Sequence, residues 1–319
     1  ILRAPSNDIM NKLARSVLSA YSYDPEAEDI SIRNVLRQSI ELIARFPTMV
    51  AFGFQAKRHY YHNESLFIHA PDPELSTAEN LLQLIRISRD YTPLEAETLD
   101  LPLVLHAEHG GGNNSAFTVH VVSSAATDTY SAIAAAVGSL KGPKHGGANA
   151  KVMAMMEDIK NNVSDWESET TVGDYIRRIL RREVFDGTGL IYGMGHAVYT
   201  LSDPRAVLLK EKARELAAEK EYSREFALYE LIEGLVPRIF QEEKETDRPI
   251  APNVDFYSGF VYKMLGIPSE LNTPIFAIGR VPGWCAHRIE ELVSGGRIIR
   301  PAYKSVVGRN RYRPMASRE

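Results

Sequence analysis

Four histidines, two aspartates and several arginines in this 319-residue chain stand at glycine- or proline-marked breaks rather than inside helix-like stretches. "LHAEHGGGNNSAF" carries His106 and His109 before three glycines, and "LKGPKHGGANAKV" sets His145 between Gly-Pro and Gly-Gly. "GLIYGMGHAVYTLSDPR" carries His196, Asp203 and Arg205. "APNVDFYSG" carries Asp255 after a Pro-Asn turn signal, and "IFAIGRVPG" and "GGRIIRPAYKS" carry Arg280 and Arg300. Side chains on loops held by a rigid scaffold are where binding and catalysis concentrate. Imidazole gives and takes protons near neutral pH, and a carboxylate can serve as base. Guanidinium matches carboxylates bidentately, so three arginines point to a di- or polycarboxylate substrate. The set suggests acid–base chemistry on an anion.

Each residue has a plainer reading. A histidine beside glycines is commonly a cap or a surface group, and Arg205 after Asp-Pro could begin a helix or form a surface pair. His106 and His109 with Glu108 between them could ligate a metal, but no HExxH or other established metal spacing is present. "GMG" is too short for a nucleotide loop, and neither GxGxxG nor GxxxxGK[ST] occurs. Met153, Met155 and Met156 read as core filling.

The elements that must position these residues are helical. Val35, Leu36, Ile40, Ile43 and Phe46 recur at three- and four-residue intervals, which marks an amphipathic helix. Ser76 and Thr77, with Glu79 following, signal a helix start. The Ala-, Ser- and Gly-rich "SSAATDTYSAIAAAVGSL" reads as a buried or interface helix, and further helices fit 172–183, 205–219, 223–243 and 283–294. Period-two alternation is confined to patches such as "SLFIHA". The fold class is mainly α. Punctuation at 142–147 and 266–268 divides the chain into 1–147 and 266–319, forming one large domain, and 148–265, a smaller inserted domain.

Net charge is -4 and there is one cysteine, Cys285. A single cysteine excludes an intrachain disulfide and suggests a reducing, cytoplasmic setting. The charge balance gives no reason to expect nucleic acid or a membrane as partner, and no apolar run has spanning length.

In six separated motifs the sequence resembles citrate synthase: "LHAEHGGGNNSAF", "GSLKGPKHGGANAKV", "YGMGHAVYTLSDPRA", "PNVDFYSG", "PIFAIGRVPGWCAH" and "RIIRPAYKS". The resemblance covers essentially the whole chain. It implies condensation of acetyl-CoA with oxaloacetate, then hydrolysis of citryl-CoA, on a multi-helical fold whose inserted domain closes over the substrates. It implies Asp255 as the base, His145 as donor to the thioester oxygen, and His196 as the group that polarises the oxaloacetate carbonyl. His109, Arg205, Arg280 and Arg300 match the oxaloacetate set, and Arg300 would be lent across a homodimer. Leu190, Tyr192, Gly193, Met194 and Gly195 match the segment that receives the adenine of coenzyme A, with Arg248 near its phosphates. No cofactor or metal is implied, since the coenzyme A thioester is a substrate. The family's segment before Ile1 has no counterpart in this sequence, which reads as a shortened chain with weak or absent turnover expected. The alternatives are 2-methylcitrate synthase using propionyl-CoA, an inactive helical scaffold, and a metal-dependent hydrolase built on His106 and His109.

Overall fold

The computed structural model describes residues 2–196, 199, 202–302, 304, 306–308 and 311–318. Among the described residues twelve α-helices carry the architecture: α1 Ile9–Tyr21, α2 Ile32–His62, α3 Thr77–Ile85, α4 Pro93–His106, α5 Asn114–Ser123, α6 Thr129–Lys141, α7 Ala148–Asn162, α8 Glu169–Leu180, α9 Pro204–Glu219, α10 Ser223–Lys244, α11 Val254–Met264 and α12 Asn272–Ser294. Among the described residues there is no strand, only an isolated bridge between Met194 and Pro252. "SLFIHA" therefore forms no strand.

Local chemistry sets the helix starts. Ser76 caps α3 and forms a reciprocal capping box with Glu79. Thr92 does the same for α4 with Glu95, and Pro93 opens that helix at a position where no N–H is needed. Asn113, Asp203 and Asn253 cap α5, α9 and α11 with their side-chain oxygens. Each of these three ends a loop that carries a candidate site residue.

Two sequence expectations need correction. The last long helix begins at Asn272 and runs through Pro282, eleven residues before the predicted start at 283. A proline inside a helix removes one backbone bond, and burial of Ile275, Ile278, Val281, Trp284 and Cys285 outweighs that loss. On α2, Val35, Leu42, Phe46 and Val50 are fully buried, whereas Leu36 and Ile40 are 50% and 59% exposed. They fall on a second stripe with Ile32, facing away from the core.

The helix α12 packs on α2, α4, α5 and α6, while α11 lies against α7 and α9. The block α7–α11 meets the rest through α4 against α9 and α11, and through α12 against α7. Gly279 and Gly283 let α12 press against the end of α4. A Cβ on Gly283 would stand 2.0 Å from the Ala107 carbonyl oxygen, and one on Gly279 would stand 2.9 Å from that of Leu103. This close approach brings Arg280 Nε to the His106 carbonyl.

Candidate active site

The candidate residues converge where the N-terminal ends of α5, α7, α9 and α11 meet the C-terminal end of α4. Helix N-termini present unpaired N–H groups and a partial positive charge, which suits an anion. Arg280, on α12, is 2% exposed; it donates from Nε to the His106 carbonyl and lies 4.8 Å from the Phe276 ring centroid. Its Nη1 is buried with no hydrogen-bond partner among the described residues. Burial lowers its pKa to about 10, with Glu108 opposing that shift. A buried, unpartnered guanidinium nitrogen is the donor an incoming carboxylate would satisfy.

Arg205, at the first turn of α9, forms a bidentate pair with Asp203 through Nε (3.0 Å) and Nη2 (2.8 Å). It lies 5.6 Å from the centroid of Tyr199. Asp203 also caps the helix by accepting from the Arg205 N–H at 3.0 Å, so Arg205 does stand at the helix start, but its pair with Asp203 is shielded rather than on the surface. His109 meets His196 edge-to-face at 5.0 Å between ring centroids. The Tyr199 N–H donates to His196 Nδ1 at 3.2 Å. A ring nitrogen that accepts carries no proton, so the neutral ring is protonated at Nε2.

His109, His145 and His196 all titrate below the usual imidazole range. Burial is the main cause for each, followed by Arg205 for His109 and His196 and by Arg280 for His145. The three rings are therefore neutral near pH 7, able to donate without bringing a charge.

His145 Nε2 lies 3.0 Å from Ser115 Oγ. That oxygen also accepts from Trp284 Nε1 at 3.0 Å and sits 2.9 Å from Asn113 Oδ1. Indole N–H can only donate, so the hydroxyl proton goes either to Asn113 Oδ1 or to His145 Nε2. The first arrangement has Nε2 donate to the hydroxyl oxygen; the second has Nε2 accept and leaves the imidazole proton on Nδ1, so the Ser115 hydroxyl is the group that sets the tautomer of His145. Ser115→Ala is expected to strand the buried indole N–H, costing about 1–3 kcal/mol of stability. A lost hydrogen bond of about 1.4 kcal/mol in the transition state would also lower kcat roughly tenfold. Denaturant unfolding and steady-state rates check the two effects separately.

Gly146 and Gly147 have a different reason from the one their bareness suggests. A Cβ on Gly146 would lie 2.3 Å from the Leu140 carbonyl oxygen, and one on Gly147 would lie 2.4 Å from that of Pro143. The glycines are required by the tight turn that carries His145, and Gly146 also lines the cavity beside that ring.

Asp255 stands in the first turn of α11, its N–H donating to the Asn253 cap at 3.0 Å. Its residue surface is partly exposed, and it lines a narrow cavity amid densely packed protein. That burial raises its pKa to about 6, with Arg205 opposing and Asp203 adding to the shift. The same cavity is lined by His145, His106, Asn149, Ser258, Tyr262 and Phe276. Asp255 and His145, 110 positions apart in sequence, face one space.

A second, wider cavity is lined by Leu190, Met194, Gly195, His196, Tyr199, Phe240, Arg248, Pro249 and Ile250. Four of the six coenzyme candidates are among these. Tyr192 points elsewhere, donating from its hydroxyl to Asp186 at 2.7 Å, and Gly193 packs against Phe256 and Val152. Arg300 is exposed, one residue beyond the bond from the Ile299 N–H to Ser124 Oγ. Ala197, Val198, Thr200 and Leu201 of the His196 motif, and Tyr303 and Ser305 of the last motif, lie outside the described residues.

His106 and His109 do not form a metal pair. His106 is buried, stacked at 4.2 Å on Phe276, with Nε2 3.3 Å from the Tyr262 hydroxyl. Burial beside Arg280 and Arg205 holds its pKa near about 3, whereas His109 faces His196. Sequence reasoning missed Ser115, Trp284, Tyr199 and Phe240. The first three stood inside quoted motifs, but nothing in their spacing says that a serine and an indole 169 positions apart share one oxygen.

Neutral histidines, a desolvated carboxylate, a buried arginine and a half-buried one on an all-α scaffold define an acid–base enzyme for an anionic substrate. The citrate synthase C-terminal domain model matches residues 1–302. A citrate synthase of Deinococcus radiodurans is 38% identical over 291 residues, covering 90% of this chain and 70% of that protein. Solved citrate synthases agree in fold. That of Pyrobaculum aerophilum has a TM-score of 0.75 at 32% identity, covering 97% of this chain and 74% of the other. That of Thermoplasma acidophilum, in a ternary complex with carboxymethyl coenzyme A and oxaloacetate, has a TM-score of 0.76 at 26% identity, covering 98% and 76%. The chain belongs to the citrate synthase family, acyltransferases of the citrate (Si)-synthase type.

Proposed function

We propose that the two cavities hold the two halves of one condensation, with Asp255 and His145 on either side of an acetyl group. The observation that carries this reading is the single narrow cavity lined by both residues. The methyl of a thioester is a very weak carbon acid. Asp255, partly desolvated, is a stronger base than a carboxylate in water. His145 donates from Nδ1 to the thioester oxygen as enolate charge develops there, which is where a fixed donor lowers the barrier. His196 presents Nε2–H to the oxaloacetate carbonyl. His109, Arg205, Arg280 and Arg300 bind the carboxylates, and the unpartnered Nη1 of Arg280 supports its part. Water then hydrolyses citryl-CoA to citrate and coenzyme A.

Coenzyme A lies along Leu190, Met194 and Gly195, with Arg248 toward its phosphates. Tyr192 and Gly193 act by shaping that loop. No further cofactor takes part, since the thioester supplies the activated carbon. Arg300 serves the partner's site in a homodimer, supported by its exposure here and by the apolar stripe of Ile32, Leu36 and Ile40 on α2. The protein works in the cytoplasm, and no helix among the described residues is long and apolar enough to cross a membrane.

Residues 148–265 form a small domain that closes on the rest. His145 stands at its edge and Asp255 within it, so closure brings base and donor together and excludes water. Oxaloacetate is expected to bind first and to raise acetyl-CoA affinity. Calorimetry with and without oxaloacetate tests this, and equal acetyl-CoA affinity in both would contradict it. Propionyl-CoA is the second acyl donor to compare, because one methylene in an apolar pocket is worth only about 1–3 kcal/mol.

A further inference from the structure

On the far side of Glu108 from His109, five side chains that the condensation does not use form a cluster across three elements. His120 comes from α5, His287, Glu290 and Glu291 from α12, and Glu108 from the loop after α4. His120 Nε2 and His287 Nδ1 are 3.1 Å apart. Glu290 Oε2 is 2.9 Å from His287 Nδ1 and 3.7 Å from His120 Nε2. Three ligand atoms held at about 2.0–2.1 Å by a tetrahedral zinc ion stand about 3.3 Å from one another. The observed triangle brackets that value.

The outward nitrogens complete the pattern. His120 Nδ1 is 2.8 Å from Glu291, and His287 Nε2 is 2.8 Å from Glu108, close enough for an ion pair though not aligned as a hydrogen bond. Metal-ligating histidines characteristically give their second N–H to a carboxylate. With those protons turned outward, neutral rings leave two lone pairs and a carboxylate oxygen converging on one point. A proton satisfies one edge of that triangle; a divalent ion satisfies all three corners. Three carboxylates around two imidazoles supply the negative charge to hold it.

The histidine side chains are 16% and 12% exposed and Glu290 is 66% exposed, so solvent reaches the cluster on the Glu290 side. A Cβ on Gly111 would stand 3.2 Å from His120 Nε2, so the bare glycine keeps that flank open.

We propose that His120, His287 and Glu290 form a binding site for a borderline-soft divalent ion such as Zn2+, with Glu291 and Glu108 as outer partners and a fourth position open to water. Its use is positional. The Glu108 oxygen that faces away from His287 accepts from the backbone N–H of His109, at 2.7 Å, and of Gly110. A bound ion stiffens His287, and through Glu108 it stiffens the loop that places His109. The sequence hid the site because its two histidines are 167 positions apart.

The test is calorimetric titration of chelator-treated protein with zinc chloride, for the wild type and for the His120→Gln and Glu290→Gln variants. The wild type is expected to take up one equivalent, and each variant is expected to bind at least about tenfold more weakly. Glu290 is largely exposed, so its variant keeps the fold, and an unchanged thermal midpoint of the apo form verifies that. Co2+ in place of Zn2+ should give the intense visible absorption of a four-coordinate site, lost in Glu290→Gln. No uptake by the wild type, or uptake that either folded variant leaves unchanged, overturns the proposal; the second result would place the zinc elsewhere, for example at His59 and His62 near the end of α2.

Discussion

Asp255→Asn is expected to lower kcat by on the order of 10²–10⁴-fold while making the folded protein more stable at neutral pH. Both effects follow from the same desolvation. The carboxyl titrates at about 6 in the folded chain against 3.8 for an unburied aspartate. Between those values the native state holds a proton that the unfolded state has released. Stability is therefore greatest below the unfolded pKa and declines as pH rises through about 6. A shift of about two units corresponds to about 3 kcal/mol. Asparagine carries no charge and escapes that decline. The variant should match wild type in stability near pH 4 and exceed it by up to about 3 kcal/mol at pH 7. Urea unfolding at the two pH values checks the difference. A variant less stable than wild type at pH 7 would show that the charged form is well solvated in the fold. The rate of the wild type should rise with pH through about 6 as the base ionises.

His145→Ala should remove the donor that matters only when enolate charge forms. Losing such a donor typically costs roughly a hundred- to a thousandfold in kcat. Oxaloacetate affinity should be nearly unchanged, because the groups proposed for the carboxylates are His109, Arg205, Arg280 and Arg300. Ser115 gives this prediction a graded companion: it keeps the imidazole but loosens its tautomer, so its rate should fall between wild type and His145→Ala. A His145→Ala enzyme that condensed at the wild-type rate would remove the histidine from the mechanism. One that lost oxaloacetate binding instead would move it to the other substrate.

Much of the scaffold was legible because helix signals are local. Ser76 with Glu79, and the apolar spacing of 205–219 and 223–243, need only near neighbours to be read. Leu36 and Ile40 misled because an i, i+4 apolar pair says which side of a helix is greasy, not whether the core or solvent lies against that side. Pro282 misled because burial along α12 overrides a local breaker. Most of the site was legible as residue types at breaks, and Asp203, Arg205, His109, His145, His196 and Asp255 gather there; Arg280 joins them from the middle of α12, not from the break its Pro282 suggested. What spacing could not supply was the third dimension. The Ser115–Trp284 support of His145, the Asp203 hold on Arg205 and the turn-bound need for Gly146 and Gly147 all depend on groups brought together by folding.

The most direct test of Asp255 and His145 acting on one acetyl group is free-thiol release from acetyl-CoA by the protein, beside its Asp255→Asn and His145→Ala variants. The assay is run with and without oxaloacetate, and again with propionyl-CoA. Thiol should appear only when oxaloacetate is present, faster from acetyl-CoA than from propionyl-CoA, and should be reduced at least about a hundredfold in both variants. Oxaloacetate-independent release, no release by the wild type, or undiminished release by either variant would contradict the account.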